Sequence, residues 1–138
     1  MKNILFIIAT LGTISPAISQ NRLYVNHAAP GVNTGQSWAD AYINLQSALQ
    51  SAQTGDEVWV AEGIYFPTAT TERTLSFEPA SGVQLYGGFA GTETELAQRD
   101  WQVHPTVLSG DIGVVGDSTD NAYNVVYLHQ PDSSTVLD

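Results

Sequence analysis

Three aspartates in one turn-rich stretch are the residues of this chain best suited to bind a metal ion. Asp111 lies in the segment 110–113, and Asp117 and Asp120 lie in the segment 116–121 beside hydroxyl and amide side chains. Oxygen ligands on a flexible backbone are what Ca²⁺ prefers, although the spacing fits no EF-hand loop. Asp also favours turns through local hydrogen bonds, so a turn is the favoured interpretation. We therefore predict no required cofactor, with Asp111, Asp117 and Asp120 as the candidate Ca²⁺ ligands.

A second cluster, Arg99, Asp100 and Trp101, is the candidate ligand-binding site. An aromatic ring beside charged groups suits a sugar, which offers an apolar face for stacking and hydroxyls for hydrogen bonding. The alternative is structural, with Arg99 paired to a nearby carboxylate and Trp101 packed where a loop leaves a strand. The structural alternative is favoured from the residues alone.

No catalytic residue is assigned from the sequence. A glycosidase needs two carboxylates about 5–10 Å apart across a cleft. Glu93 and Glu95 are close in sequence, but their neighbours Gly91, Thr92 and Thr94 are typical of a solvated loop. A uronate lyase needs a basic residue beside bound Ca²⁺, and the candidates are Arg73, Arg99 and three isolated histidines.

The charge of the chain excludes several classes of partner. The sequence has 14 Asp and Glu against 4 Lys and Arg, a net charge of −10. Binding to nucleic acid or anionic lipid depends on cationic side chains, so neither partner is expected. The chain has no cysteine, which excludes disulfides and cysteine-based zinc or thiol chemistry.

The N-terminus has the pattern of a secretory signal peptide. A short basic start, Met1 to Asn3, precedes an apolar stretch from Ile4 to Ile14, and small residues follow up to Ser19. The apolar stretch is shorter than the roughly 20 residues of a membrane span. We predict a signal peptide over residues 1–19, secretion or display at the cell surface, and no membrane insertion after cleavage.

Short β-prone runs follow one another through the rest of the chain and must position these side chains. They occupy residues 58–61, 83–88, 106–110 and 124–128, and their first residues lie 25, 23 and 18 positions apart. A β-rich unit that recurs loosely predicts stacked coils, each burying its apolar face on the next. An apolar stripe from Ser37 to Ala52 predicts an amphipathic helix that covers the first strand edge. The fold class predicted is all-β, a right-handed parallel β-helix with an N-terminal capping helix.

The domain boundaries follow from this interpretation. Residues 20–54 form the N-terminal strand and capping helix, and residues 55–138 form the first coils. The final run, 134–138, has the composition of a strand that is beginning. We expect the β-helix to continue beyond residue 138 in a longer protein.

Several contiguous blocks resemble the N-terminal module of secreted right-handed parallel β-helix proteins, the pectate-lyase-like superfamily of Bacteroidetes and related bacteria. The blocks cover nearly all of the chain after residue 19. The resemblance implies the same fold and an extracellular location, and such folds include adhesins, polysaccharide lyases and glycoside hydrolases. The matching blocks are residues 23–26, 37–42, 45–46, 55–65, 82–94, 98–101 and 106–112.

These observations predict a secreted or cell-surface protein with a structural or adhesive role that binds a polysaccharide or cell-surface glycan. We expect the full-length protein to be a monomer and this part of it to be non-enzymatic. The alternative is a polysaccharide lyase or glycoside hydrolase whose active site lies on coils beyond residue 138.

Overall fold

A computed structural model describes residues 20–138, so the predicted signal peptide lies outside the described residues. Residues 20–138 form one α-helix, six strands and a short 3₁₀ helix at Leu96–Gln98. In chain order these elements are β1 (Arg22–Val25), α1 (Leu45–Ser51), β2 (Glu57–Ala61), β3 (Gly63–Tyr65), β4 (Gln84–Phe89), β5 (Thr106–Leu108) and β6 (Val136–Leu137).

The strands form two parallel sheets. One has the order β1-β2-β4-β6, and the other pairs β3 with β5. In the first sheet the register aligns Leu23, Val58, Leu85 and Leu137 in one apolar row. The first three of these side chains are at most 7% exposed, whereas Leu137 is 51% exposed. The row therefore begins in the core and ends in solvent.

The core lies beneath this sheet. Helix α1 buries Leu45, Ala48 and Leu49, spaced at the three- and four-residue intervals that bring side chains to one helix face. They join the buried strand residues Val58 and Val60 in one cluster. Phe77, from the long connection between β3 and β4, is also fully buried in this cluster.

The predicted β-helix is wrong for the described residues. Three of the four predicted runs are confirmed as β2, β4 and β5, but residues 124–128 form only an isolated bridge between Val126 and Phe77. Residues 20–138 form a few short parallel strands in two sheets and no closed solenoid, and this part of the chain is not clearly all-β. Local turns occupy segments that would have to complete the predicted coils. For example, one carboxylate oxygen of Asp132 accepts the backbone N–H groups of Ser134 and Thr135.

The predicted helix is also too long. In the structure, α1 begins at Leu45, and the side chain of the preceding residue, Asn44, accepts a hydrogen bond from the backbone N–H of Gln46 at 2.8 Å. Asp40 instead closes a loop, because its carboxylate accepts the N–H of Val32 and its carbonyl accepts that of Gly35. This loop brings Tyr42 into a parallel bridge with Val25. The edge of β1 is therefore partly covered by an extended segment rather than by the helix.

Candidate functional site

A pocket of about 670 Å³ opens between the strands of the two sheets. Arg99, Trp101 and Asp138 contribute its larger polar or aromatic side chains, and we call it the Trp101 pocket. The volume falls within the range of about 300–1,000 Å³ that is usual for small-molecule sites. Its apolar lining includes Val60, Leu85, Leu108, Val125, Val126 and Leu137.

Trp101 is the most exposed aromatic group of this pocket, at 65% exposure. The preceding residue fixes its position: the N–H of Asp100 donates to the carbonyl of Gly88 at 2.8 Å. The carboxylate of Asp100 accepts the N–H groups of Gln102 and Val103, at 3.0 and 3.2 Å. These bonds hold the backbone on either side of Trp101, and Asp100 is not in the lining of the pocket, so ligand binding by Asp100 stays a prediction.

Gly88 also allows the backbone of Trp101 to lie beside β4. Its φ is +88°, a conformation that favours glycine, and a Cβ on it would lie 3.0 Å from the backbone of Trp101. The close approach of the two backbones therefore depends on a residue without a side chain. The sequence shows this glycine at the end of a β-run but not what it contacts.

Arg99 is paired inside the same pocket. Its Nη2 donates to Oδ2 of Asp138 in an ion pair, and its Nη1 lies 3.4 Å from the carbonyl oxygens of Gly87 and Asp138. The Arg99 side chain is 19% exposed and that of Asp138 is 58% exposed. The expected pairing of Arg99 with a carboxylate is thus confirmed, and the pair lies beside the exposed indole.

The phenol of Tyr86 lies close to this ion pair. The Arg99 guanidinium carbon is 5.4 Å from the Tyr86 ring centroid. Burial and the carboxylate of Glu57 raise the pKa of Tyr86, Arg99 opposes the rise, and Asp138 adds to it. The phenol therefore stays protonated near neutral pH, and its hydroxyl donates to Oε1 of Gln84 at 3.0 Å.

The three candidate metal ligands are each used in local turns. Asp111 accepts the N–H of Gly116 at 3.0 Å, and Asp120 accepts that of Val114 at 2.8 Å. Hydrogen bonds from the hydroxyl and N–H of Thr119 lower the pKa of Asp117. Between residues 20 and 138 no three His, Asp or Glu side chains come together as a metal site. The geometry supports a turn, and Ca²⁺ binding stays a prediction.

Glu93, considered as a glycosidase carboxylate, also closes a turn. Its two oxygens accept the N–H groups of Ala90, Gly91 and Thr92 at 2.7–3.0 Å. Burial acts to raise its pKa, but the backbone hydrogen bonds outweigh burial and hold the pKa below its ordinary value. A general acid for glycoside cleavage needs the opposite shift, so Glu93 is unsuited to that role.

The other basic side chains are dispersed over the molecule. The guanidinium of Arg73 lies over the Tyr123 ring at 4.4 Å from its centroid. His104 lies 2.9 Å from a carboxylate oxygen of Glu62. His129 lies 3.5 Å from one of Glu78. None of these pairs is in the lining of the Trp101 pocket.

Sequence reasoning found Arg99 and Trp101 but missed the residues that complete the pocket. Asp138, Leu137 and Val126 come from segments 25 or more residues further along the chain. The sequence feature that could have indicated Asp138 is the β-run at residues 134–138, which predicts a strand but not the strand with which it pairs. Only the pairing of β6 with β4 brings Asp138 to Arg99.

No protein-family model, curated protein or solved structure matches this chain. The resemblance to bacterial extracellular proteins therefore stays a prediction. Among residues 20–138, no helix combines the length and the apolar character needed to cross a membrane.

Proposed function

We propose that this chain belongs to a secreted or cell-surface protein with a structural or adhesive role, and that it binds carbohydrate at the Trp101 pocket. The observation that carries the proposal is the exposed indole of Trp101 beside the Arg99–Asp138 pair. Location outside the cell is supported by the predicted signal peptide.

The exposure of Trp101 supports a binding role. Aromatic residues usually bury most of their large surface, and exposed ones at the edge of a pocket are common in recognition sites. The backbone of Trp101 is also held before any ligand arrives, by the hydrogen bond between Asp100 and Gly88 and by the close approach of Gly88. A backbone fixed in advance leaves only the side-chain torsions of the tryptophan to be ordered on binding, which favours affinity.

The chemistry of the pocket fits a sugar ring. The apolar face of a pyranose can stack on the indole, while its hydroxyls can reach the charged pair. The alternative function, a lyase or glycoside hydrolase, requires a catalytic set outside the Trp101 pocket. No observation on residues 20–138 specifically favours it, so binding without cleavage is the function we propose.

A glycan array tests the proposal. The purified full-chain protein and its Trp101→Ala variant are applied to immobilised glycans of plant, algal and host origin. Loss of the indole is expected to weaken binding at least about tenfold, which corresponds to about 1.4 kcal/mol. Tyr123→Ala is the matched control, because Tyr123 is also 65% exposed but is not in the lining of this pocket.

Two results would overturn the proposal. One is the absence of binding to any glycan by a protein that is shown to be folded by circular dichroism. The other is equal binding by the Trp101→Ala and wild-type proteins, which would place recognition elsewhere.

A further inference from the structure

We infer that the Trp101 pocket takes a neutral sugar and discriminates against uronates and other acidic sugars. This inference rests on the proposed function and concerns the ligand class of that same site. It follows from the ion pair of Arg99 with Asp138 and from the carboxylate oxygen of Asp138 that this pair leaves without a donor in the described part of the chain.

The cation that could attract an acidic sugar is already neutralised. Asp138 accepts a hydrogen bond from Nη2 of Arg99, and the carbonyls of Gly87 and Asp138 lie within 3.4 Å of Nη1. A uronate carboxylate that approached Arg99 would either displace Asp138 or lie next to it as a like charge. Both arrangements disfavour an anion, because the attraction gained is offset by a lost pair or by repulsion.

A neutral sugar has no such conflict. Each hydroxyl is both a donor and an acceptor, so neighbouring hydroxyls can accept from the guanidinium and donate to the carboxylate together. The ion pair uses Oδ2 of Asp138, and the other carboxylate oxygen has no donor among residues 20–138. The pair can therefore bind a diol without being broken.

The remaining side-chain hydroxyl in the lining is already engaged. Oγ1 of Thr106 accepts the N–H of Gly88 at 3.0 Å and lies 3.1 Å from the carbonyl oxygens of Val60 and Ala61. Thr106 is thus part of the scaffold and adds no cationic or donor group that could compensate for an acidic ligand. Arg99 and Asp138 are left as the charged pair of the pocket.

The field of the whole chain acts in the same direction. Its net charge is −10, with 4 Lys and Arg in all. A polyuronate carries one negative charge per sugar and would be repelled as it approached, although salt screens charges beyond about 8 Å at physiological ionic strength. Neutral glycans do not experience this repulsion.

The experiment compares neutral and uronate glycans of equal length on one array, using the full chain and the variants Asp138→Asn, Trp101→Ala and Tyr123→Ala. We expect Trp101-dependent binding of neutral glycans, with affinity that changes less than about threefold between low and physiological salt. Asp138→Asn removes the carboxylate that neutralises Arg99. We expect this variant to bind uronate glycans at least about tenfold better than the parent, because Nη2 of Arg99 is then free to pair with them.

The outcomes separate this inference from the proposed function. Trp101-dependent binding of uronates by the parent protein would overturn the neutral-sugar inference and leave the proposed function intact. An Asp138→Asn variant that is folded, yet gains no uronate binding, would also overturn the inference. If no glycan on the array shows Trp101-dependent binding, the proposed function itself is overturned.

Discussion

Replacement of Asp56 by alanine removes the side chain that joins three segments at the start of β2. Asp56 is 4% exposed. Its Oδ1 accepts the backbone N–H of Asn21 at 3.0 Å, and its Oδ2 accepts that of Gln53 at 2.9 Å. The carboxylate therefore ties the residues before β1 and the turn after α1 to the residue that directly precedes the central strand β2.

The size of the effect follows from these two bonds. A hydrogen bond to a charged group contributes about 1.5–3 kcal/mol when its partner is protected from water. Asn21 and Gln53 are exposed, so water can reach their N–H groups after truncation, and the combined loss falls toward the lower end. We expect Asp56→Ala to lower the free energy of unfolding by about 2–3 kcal/mol, a large share of the 5–15 kcal/mol typical of a domain.

Urea unfolding followed by tryptophan fluorescence measures this loss, since Trp59 is fully buried and reports on the core. Asp56→Asn retains one acceptor oxygen and is expected to lose about half as much. Asp117→Ala is the matched control: Asp117 also accepts two hydrogen bonds, but it is exposed, so no measurable change is expected. An Asp56→Ala protein with an unchanged midpoint and m-value would refute the reasoning, as would an equal loss in Asp117→Ala.

Two further predictions concern Tyr65 and Gly88. Burial raises the pKa of Tyr65 to about 12, with an opposing backbone hydrogen bond and a smaller contribution from Glu62. The unfolded chain therefore releases this proton first as the pH rises above about 10, and stability should fall between about pH 10 and 12. Ultraviolet difference spectra should show a late-forming tyrosinate that is missing in Tyr65→Phe, and this substitution should remove this part of the stability loss. An unchanged pH profile in Tyr65→Phe would contradict the prediction. Gly88→Ala places a Cβ 3.0 Å from the Trp101 backbone at a φ of +88°, which costs about 1–2 kcal/mol of stability. The variant should also bind glycans more weakly than the parent. Full binding together with a lowered melting temperature would show that Gly88 does not determine the position of Trp101.

The strands were predictable where the pattern alone determines them. Residues such as Val58 and Leu85 lie in short β-prone runs that the structure forms as β2 and β4. The start of the helix was not predictable, and Asp40 shows why. Ser37 and Asp40 do form hydrogen bonds with each other, at 3.1–3.2 Å, but these bonds close a loop and do not begin a helix. The same hydrogen bond serves both structures, so the residue types do not distinguish them.

The β-helix prediction failed for a related reason. Periodic β-runs predict strands but not whether the intervening segments complete each coil, and residues 109–135 contain turns closed by Asp111, Asp117 and Asp132. In the candidate site, Arg99 and Trp101 were identifiable because an aromatic beside a cation is visible in sequence. Asp138 was not, because its contact with Arg99 depends on the register of β6 against β4.

The apolar row of the first sheet gives the molecule a gradient of local stability. Burial is nearly complete at Val58 and Leu85, whereas Leu137 is 51% exposed, so less buried apolar surface holds β6 than holds β2 and β4. The partner of Arg99 lies directly beyond this strand, at Asp138. A ligand that contacts Asp138 therefore binds only molecules in which β6 is docked, and its binding energy is added to the stability of that strand.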